Sequence, residues 1–253
     1  MAWFEHGTAR VHYEVSGDGD PVLLTPGFSM TIDDVSALGE ALSARYRVIA
    51  ADLPGSGQSG PQPRHYTRTY HEDDARVLLA LLASLDLPAA HVIGHSDGGE
   101  SALWMAALQP ERIRSVVAWG AMGYIDKSLL SLLAVFESVV DEPIEPLKEY
   151  ADLLKATYGR ENARAMIKSF AEATRAIIED GGDLARSRAG SISCPVLLIS
   201  GEHDPFAPPP LIPGFTSAVR NVEVIEVPGA GHDVHRTHAD WMAETILAWL
   251  AAH

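Results

Sequence analysis

Short apolar runs bounded by glycine, proline and aspartate alternate along this chain with longer stretches whose apolar residues recur at helical spacing. Val11 to Val15 and Val22 to Thr25 read as strands, and Ser16-Gly17-Asp18-Gly19-Asp20-Pro21 between them has the turn chemistry of a hairpin. Asp33 to Arg45 places Val35, Leu38 and Leu42 on one helical face, and Arg47 to Leu53 is the next strand. Tyr66 to Leu85 predicts a long helix through Leu78, Leu81, Leu82 and Leu85, stopped by Asp86-Leu87-Pro88. His91-Val92-Ile93 is a strand followed by a helix from Gly99 to Leu108. Ile113 to Trp119, Pro195 to Ser200 and Val222 to Val227 are further strands, and Thr237 to Ala251 closes the chain as a helix. Strands alternating with helices predict an α/β fold, a mostly parallel sheet covered on both faces.

Residues 124–193 break this rhythm. They contain no convincing strand, but have helical candidates at Lys127 to Val140, Pro146 to Tyr158 and Asn162 to Asp180, the first two separated by Asp141-Glu142-Pro143. A crossover between parallel strands needs only about a dozen residues. The excess predicts a helical cap, or lid, at 124–193 inserted into a core formed by 1–123 and 194–253. A pair of ordinary crossover helices is the plainer alternative.

Composition narrows the class. A chain of 253 residues, 47% hydrophobic and 21% charged, can bury one substantial core. The single cysteine, Cys194, excludes an intrachain disulfide, and its place before Pro195 at a strand start suggests packing. Met1 to Arg10 has neither a cationic start nor an apolar run, and Leu129 to Val140 is too short to span a bilayer. The expectation is a cytoplasmic protein, monomer or homodimer, without membrane contact. The net charge of −15 disfavours nucleic acid and anionic lipid as partners.

The candidate chemistry begins at Gly94-His95-Ser96-Asp97-Gly98, a G-x-S-x-G placed between a strand and a helix. A serine on such a sharp turn stands clear of the strand tips, and the glycines remove side chains that would collide there. The hydroxyl needs a base, and the base needs an orienting group. Gly201-Glu202-His203-Asp204-Pro205 follows one late strand and Gly229-Ala230-Gly231-His232 the last, which nominates Ser96, Asp204 and His232 as catalytic residues. Glu202, His203 and Asp126 are weaker candidates for the acid. The backbone N–H groups of Asp97 and of Phe28, in the loop Pro26-Gly27-Phe28, are the expected oxyanion donors.

Two patterns compete and lose. Gly55 to Gly60 is a literal G-x-G-x-x-G, but Pro61 and Pro63 follow where a dinucleotide site needs a helix to open. His232, His235 and His238 form a spaced series, yet no cysteine or H-E-x-x-H pattern supports zinc. No cofactor or metal is expected.

These motifs, in this order, resemble the α/β-hydrolase fold family over nearly the whole chain, with Asp52 opening its D-x-x-G-x-G-x-S loop. Gly94 to Gly99, Trp119-Gly120-Ala121 and Gly201 to Pro205 are similar to valacyclovir hydrolase-like serine esterases. The resemblance implies hydrolysis of a small-molecule ester through an acyl-enzyme on Ser96. It also implies that Asp97 binds the α-amino group of an aminoacyl ester, although an aspartate at a helix start needs no ligand to explain it. Phe28, Met122, Tyr124 and Phe206 join Asp97 as expected substrate-binding residues. The loop from Pro26 to Asp34 and the insertion depart from that subfamily. Thioester or carbon–carbon bond hydrolysis uses the same parts, and a cofactor-free lyase or cyclase, a ligand-binding protein or an interaction protein are alternatives on the same fold.

Overall fold

The computed structural model describes residues 1–253, the side chain of Pro146 excepted. Its centre is an eight-stranded sheet: β1 (Ala2–His6), β2 (Ala9–Ser16), β3 (Asp20–Thr25), β4 (Tyr46–Ala51), β5 (Ala90–His95), β6 (Ile113–Trp119), β7 (Val196–Gly201) and β8 (Val222–Val227). The order across the sheet is β1-β2-β4-β3-β5-β6-β7-β8. β2 pairs antiparallel with β1 and β4, and every later pairing is parallel.

The hairpin lies elsewhere than the turn chemistry predicts. β1 and β2 form it, with His6 opposite Ala9, whereas β2 and β3 flank β4 on opposite sides. Gly17 and Gly19 have positive φ and sit against the backbone between Ser43 and Tyr46. A Cβ on Gly19 would lie 2.6 Å from the Arg45 carbonyl oxygen, so these glycines permit a close crossing rather than a reversal. β3 is buried at every residue after Asp20, as an interior strand must be.

Period-two alternation divides the core. Leu23, Val92, Ala118 and Leu198 point to one face, where they meet Leu78 and Leu103 from two of the flanking helices. Leu24, Ile93, Trp119 and Ile199 point to the other, against Leu42 and Ile246. The helices concerned are α1 (Ser36–Ser43), α2 (Tyr70–Ser84) and α3 (Asp97–Leu108), with α9 (Ala239–Ala252) at the C-terminus. A 3-10 turn, Ile32–Val35, leads into α1, so the predicted helix from Asp33 to Arg45 is shorter and preceded by a tighter turn. α2 starts four residues later than its apolar pattern suggests. The Tyr66 N–H donates to Ser169 Oγ at 2.8 Å and is thereby tied to a distant helix.

Between β6 and β7 run α4 (Leu130–Glu137), α5 (Lys148–Tyr158) and α6 (Arg160–Glu179). They share a small core of their own, including Phe136, Leu154, Met166 and Ile167, and Arg175 of α6 pairs with Glu137 of α4. The two ends of the segment meet: Gly123 O accepts N–H bonds from Leu184, Ala185 and Arg186, and Ile125 N donates to Gly182 O. Two tyrosines of α5 reach the sheet's loops. Tyr150 hydroxyl is 2.9 Å from Ser29 Oγ; Tyr158 hydroxyl donates to Ser29 O at 2.9 Å and accepts the Gly57 N–H at 2.8 Å.

α7 (Pro213–Thr216) and α8 (Val234–Thr237) are single turns before β8 and α9. Cys194 is buried in the larger core, and burial pushes its thiol up to about 11, so it packs as an apolar side chain. Among the described residues, no helix is long and apolar enough to cross a membrane.

Candidate active site

Ser96 sits between β5 and α3 with φ 50 and ψ −119, a conformation sparsely populated by non-glycine residues and costing about 1–3 kcal/mol. The surroundings hold it there. Its N–H donates to Trp119 O at 2.8 Å and its carbonyl accepts from Glu100 N at 2.9 Å. A Cβ on Gly94 would run into the Gly98 carbonyl, and one on Gly98 would lie 2.5 Å from the carbonyl oxygen of Pro26. Both glycines of the pentapeptide are therefore required by close backbone approach.

His232 follows β8 and Asp204 follows β7, adjacent parallel strands whose C-terminal ends lie side by side. His232 Nδ1 is 2.8 and 3.0 Å from the two Asp204 oxygens. Asp204 Oδ1 also accepts the N–H groups of Phe206 at 2.8 Å and Ala207 at 2.9 Å, so the carboxylate is locked by its own loop. That bond orients Nδ1–H toward the carboxylate and leaves Nε2 as the ring's basic nitrogen. Ser96 and His232 line the same cavity; the serine hydroxyl makes no hydrogen bond among the described residues. The rival acids are engaged elsewhere: Glu202 accepts the Gly229 N–H, and Asp126 caps Ser128.

The Pro26-Gly27-Phe28 loop lies against the serine, since a Cβ on Gly27 would be 3.0 Å from Ser96 Cβ. Neither the Phe28 nor the Asp97 N–H has an acceptor among the described residues, which leaves two backbone donors beside the hydroxyl. Asp52 explains why the loop after β4 accompanies this site. Its buried carboxylate accepts N–H bonds from Ile32 at 2.8 Å and Gln58 at 2.9 Å, joining the loops after β3 and β4. The Gly55 to Gly60 stretch runs as turns around that carboxylate, with no helix opening after it.

The cavity encloses about 550 Å³, within the range of small-molecule sites. Phe28, Met122, Phe136, Phe170 and Phe206 make its wall largely apolar, and Asp97 and Glu100 add two acidic residues to the lining. Asp97 Oδ1 accepts from the Tyr70 hydroxyl at 3.0 Å and lies 3.2 Å from His71 Nε2. Tyr124 does not line this cavity. Its ring packs beside Gly214 and under the guanidinium of Arg186, 4.9 Å from the ring centre, because the chain reverses at Gly123 and carries it away from the strand tips.

Sequence reasoning passed over Tyr70, His71, Glu100 and His95. Glu100 carried a readable signal, a second carboxylate three residues after Asp97 in an otherwise small and apolar helical stretch. His95 lies under His232, ring centres 4.7 Å apart, with its Nε2 3.3 Å from the His232 carbonyl. Burial drives the His95 imidazole well below its usual range and the His235 imidazole to about 4, so both are neutral near pH 7.

His95, Asp233 and His235 are close enough to hold a metal ion, and differ from the His232, His235, His238 series in the sequence. Their hydrogen bonds oppose it. His235 Nδ1 accepts the Trp119 indole N–H at 3.1 Å, which puts the imidazole proton on Nε2, and His95 Nε2 needs its proton for the His232 carbonyl.

Residues 20–136 match the alpha/beta hydrolase fold family. The chain is 28% identical over 240 residues to the mouse (Mus musculus) protein named serine hydrolase BPHL, covering 91% of this chain and 79% of that one. It is 26% identical over 268 residues to a 2-hydroxy-6-oxononadienedioate/2-hydroxy-6-oxononatrienedioate hydrolase of Paraburkholderia xenovorans, covering 97% and 92%. Among solved structures, the enol-lactonase from Burkholderia xenovorans LB400 superposes with a TM-score of 0.77 at 23% identity, covering 99% of this chain and all of that one.

Proposed function

Since the chain belongs to the α/β-hydrolase fold family and resembles valacyclovir hydrolase within it, we propose that this hydrolase cleaves small carboxylic esters, aminoacyl esters among them, through an acyl-enzyme on Ser96. The observation that carries the reading is the strained Ser96 turn opening into one cavity with an imidazole whose Nδ1 is held by Asp204. His232 Nε2 removes the Ser96 proton as Oγ attacks the ester carbonyl. Asp204 stabilises the imidazolium. The oxyanion forms against the Phe28 and Asp97 N–H groups, where each donor contributes about 3 kcal/mol to the transition state. Collapse breaks the acyl carbon–oxygen bond, and the departing alkoxide takes the proton from His232. Water, deprotonated by the same ring, then attacks the acyl-enzyme and releases the acid and Ser96.

In this reading Asp97, Phe28, Met122 and Phe206 contact the substrate, and residues 124–193 act as a cap over the core formed by 1–123 and 194–253. α4, α5 and α6 all contribute to the cavity wall, through Leu133, Tyr150 and Phe170 among others. The preference for an aminoacyl group is supported by Asp97, which lines the cavity one residue from the nucleophile.

The test is a panel of acyl esters, aminoacyl esters and thioesters offered to the wild type and to Ser96→Ala. Turnover of esters that the alanine variant abolishes is the expected result. Ester turnover undiminished in Ser96→Ala would sink the assignment.

A further inference from the structure

Glu100 stands where a carboxylate has no structural need to be. It lies in the first turn of α3 among Gly98, Gly99, Ala102 and Leu103 and is 4% exposed. Oε1 accepts the backbone N–H groups of Met122 at 2.8 Å and Gly123 at 3.1 Å. Oε2 is buried and has no hydrogen-bond partner among the described residues. Anchoring the Met122–Gly123 turn takes one oxygen, which an amide would supply without a buried charge.

Asp97, three residues earlier, shares the same helix face, and both residues line the cavity. Its arrangement is parallel. Oδ1 is held by the Tyr70 hydroxyl and by His71, and Oδ2 has no partner among the described residues. Each carboxylate thus has one oxygen fixed by protein donors and one spare. Folded proteins leave few buried polar atoms unpaired, because an unpaired buried group costs its full desolvation.

We propose that Glu100 and Asp97 together form a two-carboxylate subsite for the primary ammonium group of an apolar aminoacyl substrate, with Glu100 as a specificity-determining residue. An ammonium at this site donates N–H bonds to both spare oxygens and neutralises part of their mutual repulsion. Burial raises the Glu100 carboxyl above its usual range; His71 and the Met122 and Gly123 N–H groups oppose the rise, and the nearby Asp97 charge adds to it. Phe28, Met122, Ile125 and Phe170 offer apolar contact, which sets the character of the flanking side chain. The inference rests on the aminoacyl-ester reading for the identity of the substrate, but its binding measurement does not require turnover.

Glu100→Gln keeps an oxygen for the Met122 and Gly123 N–H groups and removes the charge. Phenylalanine amide and its N-acetyl derivative are titrated calorimetrically into wild type and variant. Wild type should bind the free amine at least about tenfold more tightly than the acetylated form, and Glu100→Gln should lose about tenfold in amine affinity while leaving the acetylated form within about twofold. In parallel, kcat/KM is compared for a phenylalanine ester and the 3-phenylpropionate ester of the same alcohol. The variant's loss should fall on the amino ester alone and through KM. Equal losses on both esters, or a wild type that binds amine and amide alike, overturn the proposal and leave Glu100 as an anchor for the turn. If the amine binds as expected while neither ester is hydrolysed, the ester reading fails and the subsite stands.

Discussion

Histidines buried in neutral form should each cost this protein stability in mild acid. His91, near the start of β5, is 3% exposed; its Nδ1 lies 2.8 Å from Ser115 Oγ and its ring meets Tyr46 edge-on. Burial, helped by the Arg114 charge and opposed by Asp20, lowers its imidazole from 6.5 to about 4, and burial does the same for His235. Between those two values the unfolded chain takes up a proton that the folded chain refuses. Stability is therefore present in full above pH 6.5 and is lost as pH falls from there toward 4. At about 1.4 kcal/mol per pH unit, going down to about pH 5 costs about 2 kcal/mol for each ring and about 4 kcal/mol for the two, against a total stability of about 5–15 kcal/mol. Asp52, Asp74 and Glu100 act with the opposite sign, since burial raises each of them and their folded forms take up protons first. His91→Asn isolates one ring by keeping a polar atom near Nδ1 and removing the titration. Urea unfolding at about pH 7.5 and about pH 5 should show a stability loss about 2 kcal/mol smaller in the variant than in wild type, with m unchanged. Identical pH dependence in the two proteins would refute the assignment of the loss to His91.

Asp204→Asn should leave the loop intact, since the amide oxygen can still accept from Phe206 and Ala207, but it presents an N–H to His232 and favours the wrong tautomer. Ester turnover should fall on the order of 10⁴-fold in kcat with unchanged unfolding behaviour, and a loss under about tenfold would contradict the role given to Asp204. Asp74→Ala strands the Arg64 guanidinium, which is 9% exposed and held by Asp74 at 2.6 and 2.9 Å and by Pro54 O. Chemical denaturation should show a loss of about 3–5 kcal/mol, and a cost under about 1 kcal/mol would mean that water reaches the site.

The parts of this molecule that announce themselves locally were legible from residues alone. β6, inside the sheet, and β8, at its edge, begin and end where the sequence places them, because turn residues bound both. Ser96, Asp204 and His232 were nominated because each follows a strand, and parallel strands bring their C-terminal ends to one side of the sheet. What was missed depends on partners remote in sequence. β1 has only Trp3 and Phe4 as large apolar residues, and its pairing is decided by β2 rather than by its own pattern. Tyr70 and His71 look like the opening of an ordinary helix; that they face Asp97, 27 and 26 residues further on and beyond β5, follows from how α2 packs on α3. Tyr124, expected among the substrate-binding residues, lies off the cavity because the chain turns aside at Gly123, whose φ is positive.

The hydroxyl groups of Tyr150 and Tyr158 grip Ser29, the residue next to the proposed oxyanion donor, and Tyr158 grips Gly57 as well. The helical segment is thereby wired to the loop that would carry the developing charge. It is not an interchangeable accessory: a segment grafted from another scaffold to change substrate range would have to bring two phenols at the same spacing. A graft without them would change reaction rate and substrate choice together, so swapping segments in this scaffold cannot be treated as swapping specificity alone.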